Sequence, residues 1–392
     1  MHRYLRLLST LGLFCLLGSA FAYDGIVEKQ RFTIQSFTTT GGKTIRDVCV
    51  GYETYGKLNS QRDNVILVTH FFSGNSHAAG KYRPEDKAPG YWDALIGAGK
   101  ALDTDRYFVI ATDALANLNA KDPNTFTSGP ASINPDTGKP YGLDFPLVTV
   151  EDMVISQKAL LDHLGIRRLV AVAGPSGGSA QALQWAATYP EMVERVIAVI
   201  PFGLELHAHS IAEAGLWAMP IILDPKWNGG NYYGSEEPTV GLAQALRATT
   251  FSSASPAWVE KMFGRRAGNP ESPPRAALKN AFAAESALLQ MGKSRAATVD
   301  ANHFLYTVKA YQLFSVVDRL PSFKAEVLMI PASSDKLFPP EFSRRAVEQL
   351  RAAGKYVEYF VIEGDGGHFD GLARVTQASD VIQKFLKRKP AF

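Results

Sequence analysis

The chain has 392 residues, 46% of them hydrophobic and 20% charged, with 41 Lys and Arg against 38 Asp and Glu. That is the balance of an ordinary soluble globular protein, long enough for one large domain with a smaller one inserted or appended. It excludes a partner recruited by bulk positive charge, nucleic acid above all, and no low-complexity tract or fixed-period repeat breaks the pattern.

The N-terminus reads differently. His2, Arg3 and Arg6 form a basic head, LLSTLGLFCLLG is apolar, and Ser19-Ala20-Phe21-Ala22 places small side chains at the two positions a signal peptidase reads. This predicts a signal over residues 1–22, cut after Ala22, and a periplasmic or secreted product. The apolar run falls short of the ~20 residues of a spanning helix, so no stable membrane anchor is expected. Leu13 and Phe14 are too bulky for lipoprotein processing at Cys15. Without the signal, 39 basic residues face 38 acidic ones, a formal charge of +1. Cys49 is then alone, so no internal disulfide is expected, and it reads as a small buried apolar side chain.

Val- and Ile-rich runs then alternate with helical patterns, predicting a mostly parallel sheet flanked by helices. Strands are expected at 64–69, 107–111, 169–173, 196–200, 327–330 and 356–362; continuous runs such as VILV and LVAVA suit strands buried on both faces. From Phe202 to Ser322 the rhythm stops and helical patterns with Pro and Gly breaks take over. The expected organisation is an α/β core over 23–201 and 323–392, with a helical cap inserted over 202–322.

Within the core, Gly174-Pro175-Ser176-Gly177-Gly178 follows the strand LVAVA directly and precedes the helix-compatible run SAQALQWAATYP. A strand, G-x-S-x-G and a helix make a nucleophile elbow, a turn so tight that only small residues fit around the serine. The turn also aims the Gly177 amide at the space where negative charge develops during acyl transfer. A serine needs a base, and the chain order in such a fold is Ser, acid, His. His368 follows the last strand in a glycine-rich loop. Asp335 ends the strand before it, whereas Asp365 and Asp370 leave no strand end. The loop HFFSGNSHAAG after the strand NVILVT is expected to supply the second oxyanion donor through the Phe72 amide, with His70 and His77 as packing groups. No helix carries metal-ligand spacing, so neither metal nor cofactor is expected.

GYWDALIGAGKALDTDRYFVI, SGPASINPDTGKPYGLDFPLVTVEDMV, DPKWNGGNYY, ESALLQMGK, DANHFLYTVKA and SSDKLFPP together resemble the homoserine O-acetyltransferase family over nearly the whole mature chain. The resemblance implies the α/β-hydrolase fold with a helical cap, and caps that pair into a homodimer. It matches Ser176 to the acyl-carrying serine, Asp335 to the acid, His368 to the base, and Phe72 and Gly177 to the oxyanion positions. Two departures concern the substrate pocket. Ala218 stands where the family has an arginine that helps hold the acceptor's carboxylate, and Leu246 matches a second family arginine, with Arg247 beside it. Leu216, Trp217, Met219 and Pro220 around Ala218 read as an apolar wall. Two loops also differ: ANLNAKDPNTFTSGP replaces a short turn, and the family's G-H-D becomes Gly367-His368-Phe369-Asp370. Both are expected to face the site.

Losing a charged partner for a carboxylate typically costs about 2 to 5 kcal/mol. Together with export away from cytosolic thioesters, this favours hydrolysis of a small-molecule carboxylic ester, or an amide or thioester, with O-acyl transfer to an alcohol as the alternative. A non-catalytic binding protein is a third reading, which a missing triad member would favour; none is missing.

Overall fold

The computed structural model describes residues 25–389, so the expected signal segment lies outside the described residues. Antiparallel strands β1 (Gln30–Thr38) and β2 (Thr44–Tyr55) open the fold, followed by β3 (Val65–Thr69), a short parallel pair β4 (Ile96–Gly97) and β5 (Leu102–Asp103), and β6 (Phe108–Thr112). Next come α1 (Val150–His163), β7 (Ala171–Pro175), α2 (Gly177–Thr188) and β8 (Arg195–Val199). Five helices intervene: α3 (Ala208–Ile222), α4 (Thr239–Ser253), α5 (Pro256–Phe263), α6 (Ala283–Ala296) and α7 (Ala301–Gln312). The chain closes with β9 (Glu326–Ile330), α8 (Pro340–Ala352), β10 (Val357–Tyr359), α9 (Asp370–Ala373) and α10 (Ser379–Lys387).

The main sheet runs β1-β2-β6-β3-β7-β8-β9-β10, antiparallel at β1/β2 and β2/β6 and parallel thereafter. Its central strands carry continuous apolar runs, with polar side chains only at their ends, because both faces are covered. Val65, Leu67, Val172 and Val196 point into one layer with α1, α2 and α8, and Ile66, Val68, Ala173 and Ile197 into the other with α10. Helices α3, α4 and α7 enclose a smaller core around Leu242, Leu246, Phe304 and Val308.

The parallel strands lie within two residues of their expected starts. β7 begins and ends two residues later than expected, because pairing Gly174 with Ala198 and Pro175 with Val199 carries the ladder up to Ser176 itself. The β1/β2 hairpin was not expected from the pattern. β1 has half-exposed and exposed positions along most of its length and so lacks a continuous apolar run.

Trp185 on α2 is fully buried, and its indole N–H donates to Gln157 Oε1 at 2.7 Å. Trp185→Ala should lower the unfolding free energy by about 3 to 5 kcal/mol in a denaturant titration; a change below about 1 kcal/mol would mean that this layer is not close-packed.

Candidate active site

Ser176 joins β7 to α2 with φ 55° and ψ −120°, a backbone region that costs a non-glycine residue energy. Its own N–H donates to Val199 O at 2.8 Å, tying the turn to the next strand. Space explains the small neighbours. A Cβ on Gly174 would lie 2.3 Å from Thr69 Oγ1, one on Gly178 2.3 Å from Thr69 O, and one on Gly177 2.6 Å from Tyr311 Oη.

The two other triad residues reach this hydroxyl from separate loops. His368 Nε2 is 2.8 Å from Ser176 Oγ, and His368 Nδ1 is 2.6 Å from Asp335 Oδ2. Asp335 Oδ1 accepts from the amides of Leu337 and Phe338 at 2.9 and 3.0 Å, so the carboxylate is fixed on both oxygens. All three side chains are buried. Such a carboxylate holds Nδ1 protonated and leaves Nε2 to accept the serine proton. Gly367 turns the histidine loop at φ 72°, where a Cβ would meet Ser255 N at 2.6 Å. The two nearby carboxylates are engaged elsewhere: Asp370 accepts from Gly366 N and pairs with Arg374, and Asp365 pairs with Lys261 and Arg374.

Phe72 and Gly177 both line the cavity at Ser176. Among the described residues, neither amide donates a hydrogen bond inside the protein, which leaves two N–H groups free for an oxyanion. The loop bearing Phe72 is braced from behind. Asn117 Nδ2 donates to Gly74 O at 3.0 Å and Asn119 Nδ2 to Ser73 O at 3.1 Å. His70 Nε2 accepts from Ala114 N at 3.1 Å, which assigns the proton to Nδ1, 2.8 Å from Phe71 O. Burial pushes the His70 imidazole below its ordinary range and keeps it neutral. His77 is committed to Glu53 at 3.1 Å.

The cavity has a volume of about 160 Å³, close to that of an engineered apolar cavity that holds benzene. Ala218 and Leu246, expected on its wall, are not there. Ser210, Ala214 and Trp217 form the inward stripe of α3, and Ala218 lies on its flank, about 40° beyond Ala214. Leu246 is buried in the core of the cap, and Thr249, Thr250 and Ser253 face the cavity instead. Of the expected apolar wall only Trp217 lines the space; Leu216 and Met219 are exposed. Arg247 bonds Gln244 and does not line the cavity. The loop over 116–130 braces the oxyanion loop without lining the cavity, whereas Phe369 does line it. Sequence reasoning missed Ser210, Tyr311 and Arg295, all on the wall. They come from three helices whose relative rotation no local pattern specifies.

A serine-histidine-aspartate relay at the carboxyl ends of parallel strands, with free amides beside the serine, defines an acyl-transfer enzyme of the α/β-hydrolase class. The alpha/beta hydrolase fold family matches residues 88–374. The homoserine O-acetyltransferase of Methanococcoides burtonii is 40% identical over 92% of this chain and 74% of its own length. That of Symbiobacterium thermophilum is 41% identical over 89% and 91%. The crystal structure of esterase E22 is 47% identical with a TM-score of 0.88, covering 92% of this chain and 100% of its own. The homoserine O-acetyltransferase from Bacillus anthracis is 40% identical with a TM-score of 0.89, covering 93% and 99%. This chain belongs to the alpha/beta hydrolase fold family, among its homoserine O-acetyltransferase-like members.

A fluorophosphonate probe should label Ser176, with the adduct located by peptide mass spectrometry. Ser176→Ala should abolish the adduct and His368→Ala slow it sharply, each with up to about a million-fold loss of turnover. Unchanged labelling of Ser176→Ala would remove the serine from its role.

Proposed function

We propose that the protein hydrolyses small carboxylic esters through an acyl-enzyme on Ser176. The observation that carries this reading is the cavity itself. Beside the serine its wall is aromatic and aliphatic, with Phe202, Leu206, Trp217, Phe338 and Phe369. The likeness to esterase E22 supports it.

In the first half-reaction His368 Nε2 takes the proton from Ser176 Oγ as the oxygen attacks the ester carbonyl. The tetrahedral oxyanion forms against the Phe72 and Gly177 amides, and a donor of this kind is worth about 3 to 4 kcal/mol of barrier. The imidazolium, steadied by Asp335, returns the proton to the departing alcohol. Water then enters, His368 takes its proton, and the second collapse releases the acid and restores the serine.

The names of the curated relatives favour a second reading, O-acyl transfer of the homoserine O-acetyltransferase type, in which an alcohol replaces water in the second half-reaction. Water as acceptor fits export, which we propose for the segment 1–22, because acyl-CoA donors are cytosolic. We also propose a homodimer through the cap. Leu216, Met219 and Leu223 at the α3 end and Val240 and Phe251 on α4 are exposed apolar side chains on two helices that pack together.

Two comparisons test these readings. The protein beginning at Tyr23 should cleave p-nitrophenyl acetate and butyrate with little acetyl transfer from acetyl-CoA to homoserine; efficient transfer with negligible hydrolysis would establish the second reading instead. In sedimentation velocity the protein should run as a dimer that Leu216→Glu splits, and a wild-type monomer at micromolar concentration would remove the cap pairing.

A further inference from the structure

Arg295, in the last turn of α6, is the one permanently charged side chain on the cavity wall among the described residues. Its Nη1 donates to Thr250 Oγ1 at 3.3 Å, and its Nη2 is shut off from solvent with no hydrogen-bond partner. Desolvation alone pulls the guanidinium down to about 10, and no carboxylate raises it. At neutral pH it is therefore a cation without a counter-charge. Glu213, on the neighbouring α3, is turned to Ser252. A place in the final turn of α6 favours a cation through the helix dipole, but that would not require the side chain to be buried in a cavity. The same wall holds a second unsatisfied group: Ser210 Oγ on α3 is buried and has no partner. Two orphaned donors in one otherwise apolar cavity are costly unless a ligand completes them.

We propose that Arg295 and Ser210 receive a carboxylate carried by the substrate, so that the ester presented to Ser176 is an anionic one. The proposal rests on the ester reading above and narrows it. A guanidinium matches a carboxylate because its planar fork offers parallel N–H donors to two oxygens. The aromatic wall then holds the short spacer between carboxylate and scissile carbonyl. In a cavity this apolar, a neutral tail in place of the carboxylate leaves the guanidinium buried and unpaired, so the cation disfavours neutral esters relative to anionic ones.

The carboxylate can sit on either side of the ester, and paired substrates separate the two. On the acyl side, p-nitrophenyl hemisuccinate is compared with p-nitrophenyl isocaproate; on the alcohol side, γ-acetoxybutyrate is compared with isohexyl acetate. In at least one pair kcat/KM should favour the anionic ester by about 10-fold or more, and Arg295→Gln should abolish that preference, a drop of about 10-fold or more, while Arg295→Lys retains part of it. Neutral esters preferred in both pairs, or a preference that Arg295→Gln leaves intact, would overturn the proposal. A readout independent of turnover covers an Arg295→Gln variant that fails to fold. Butyrate should slow fluorophosphonate labelling of wild-type Ser176 more than butyramide does, and equal protection would again overturn it. If no ester is cleaved at all, the hydrolase reading fails while the protection assay still decides the role of Arg295.

Discussion

The Ser176 backbone is held where a side chain ordinarily does not go, at a strain on the order of 1 to 3 kcal/mol. It stays there because its surroundings leave no other path. The amide is bound to β8, Gly174 and Gly178 press against Thr69 at the end of β3, and α2 starts at the next residue. Turning the hydroxyl out of the strand direction and freeing the Gly177 amide are one and the same geometric event. Ile200, at the end of the neighbouring strand, is likewise forced to a positive φ of 43° and also lines the cavity. Strain at two adjacent strand ends therefore sits where the chemistry does, and the packed sheet beneath it supplies the restraint.

The rest of the relay is built so that no charge in it is left unanswered. Asp335 is satisfied on both oxygens, and His368 is bonded through both ring nitrogens. Behind the oxyanion loop lies a further buried assembly, with Lys29 Nζ 2.7 Å from Asp113, Asp113 accepting from Ser76 N, and Glu53 accepting from Tyr82. Removing one member of such a pair strands the other without solvent, so the network acts as an all-or-none brace for the Phe72 loop. His70 completes that brace as a neutral ring, a role that its burial imposes.

Chemistry and selectivity come from different parts of the chain. The triad and the free amides of Phe72 and Gly177 sit on loops at the carboxyl ends of β3, β7, β9 and β10, where the sheet fixes them. The far wall of the cavity comes from α3, α4, α6 and α7. These helices can change what fits the cavity without disturbing the triad, and the cation among them comes from α6, although the family resemblance placed arginines at Ala218 and Leu246.

From the sequence alone, the fold class, the turn at Ser176, the convergence of Ser176, Asp335 and His368, and the positions of the parallel strands were legible. Each is written in local patterns: apolar runs, small residues around a turn, a strand-end aspartate and a glycine-rich loop. The β1/β2 hairpin was not, because its outward positions interrupt any apolar run. Ala218 and Leu246 were placed on the cavity wall by counting residues along a motif; Ala218 falls on the flank of the lining stripe of α3, and Leu246 shares a face with Thr249, Thr250 and Ser253 but lies about a turn before them, in the core among α3, α4 and α7. Arg295 and Ser210 lie 85 positions apart, and only the packing of α3, α4 and α6 brings them to one wall. Side-chain period and turn chemistry are properties of short segments and survive in a string of letters. Which helix face meets which other face depends on contacts between distant segments, and that only the tertiary structure decided.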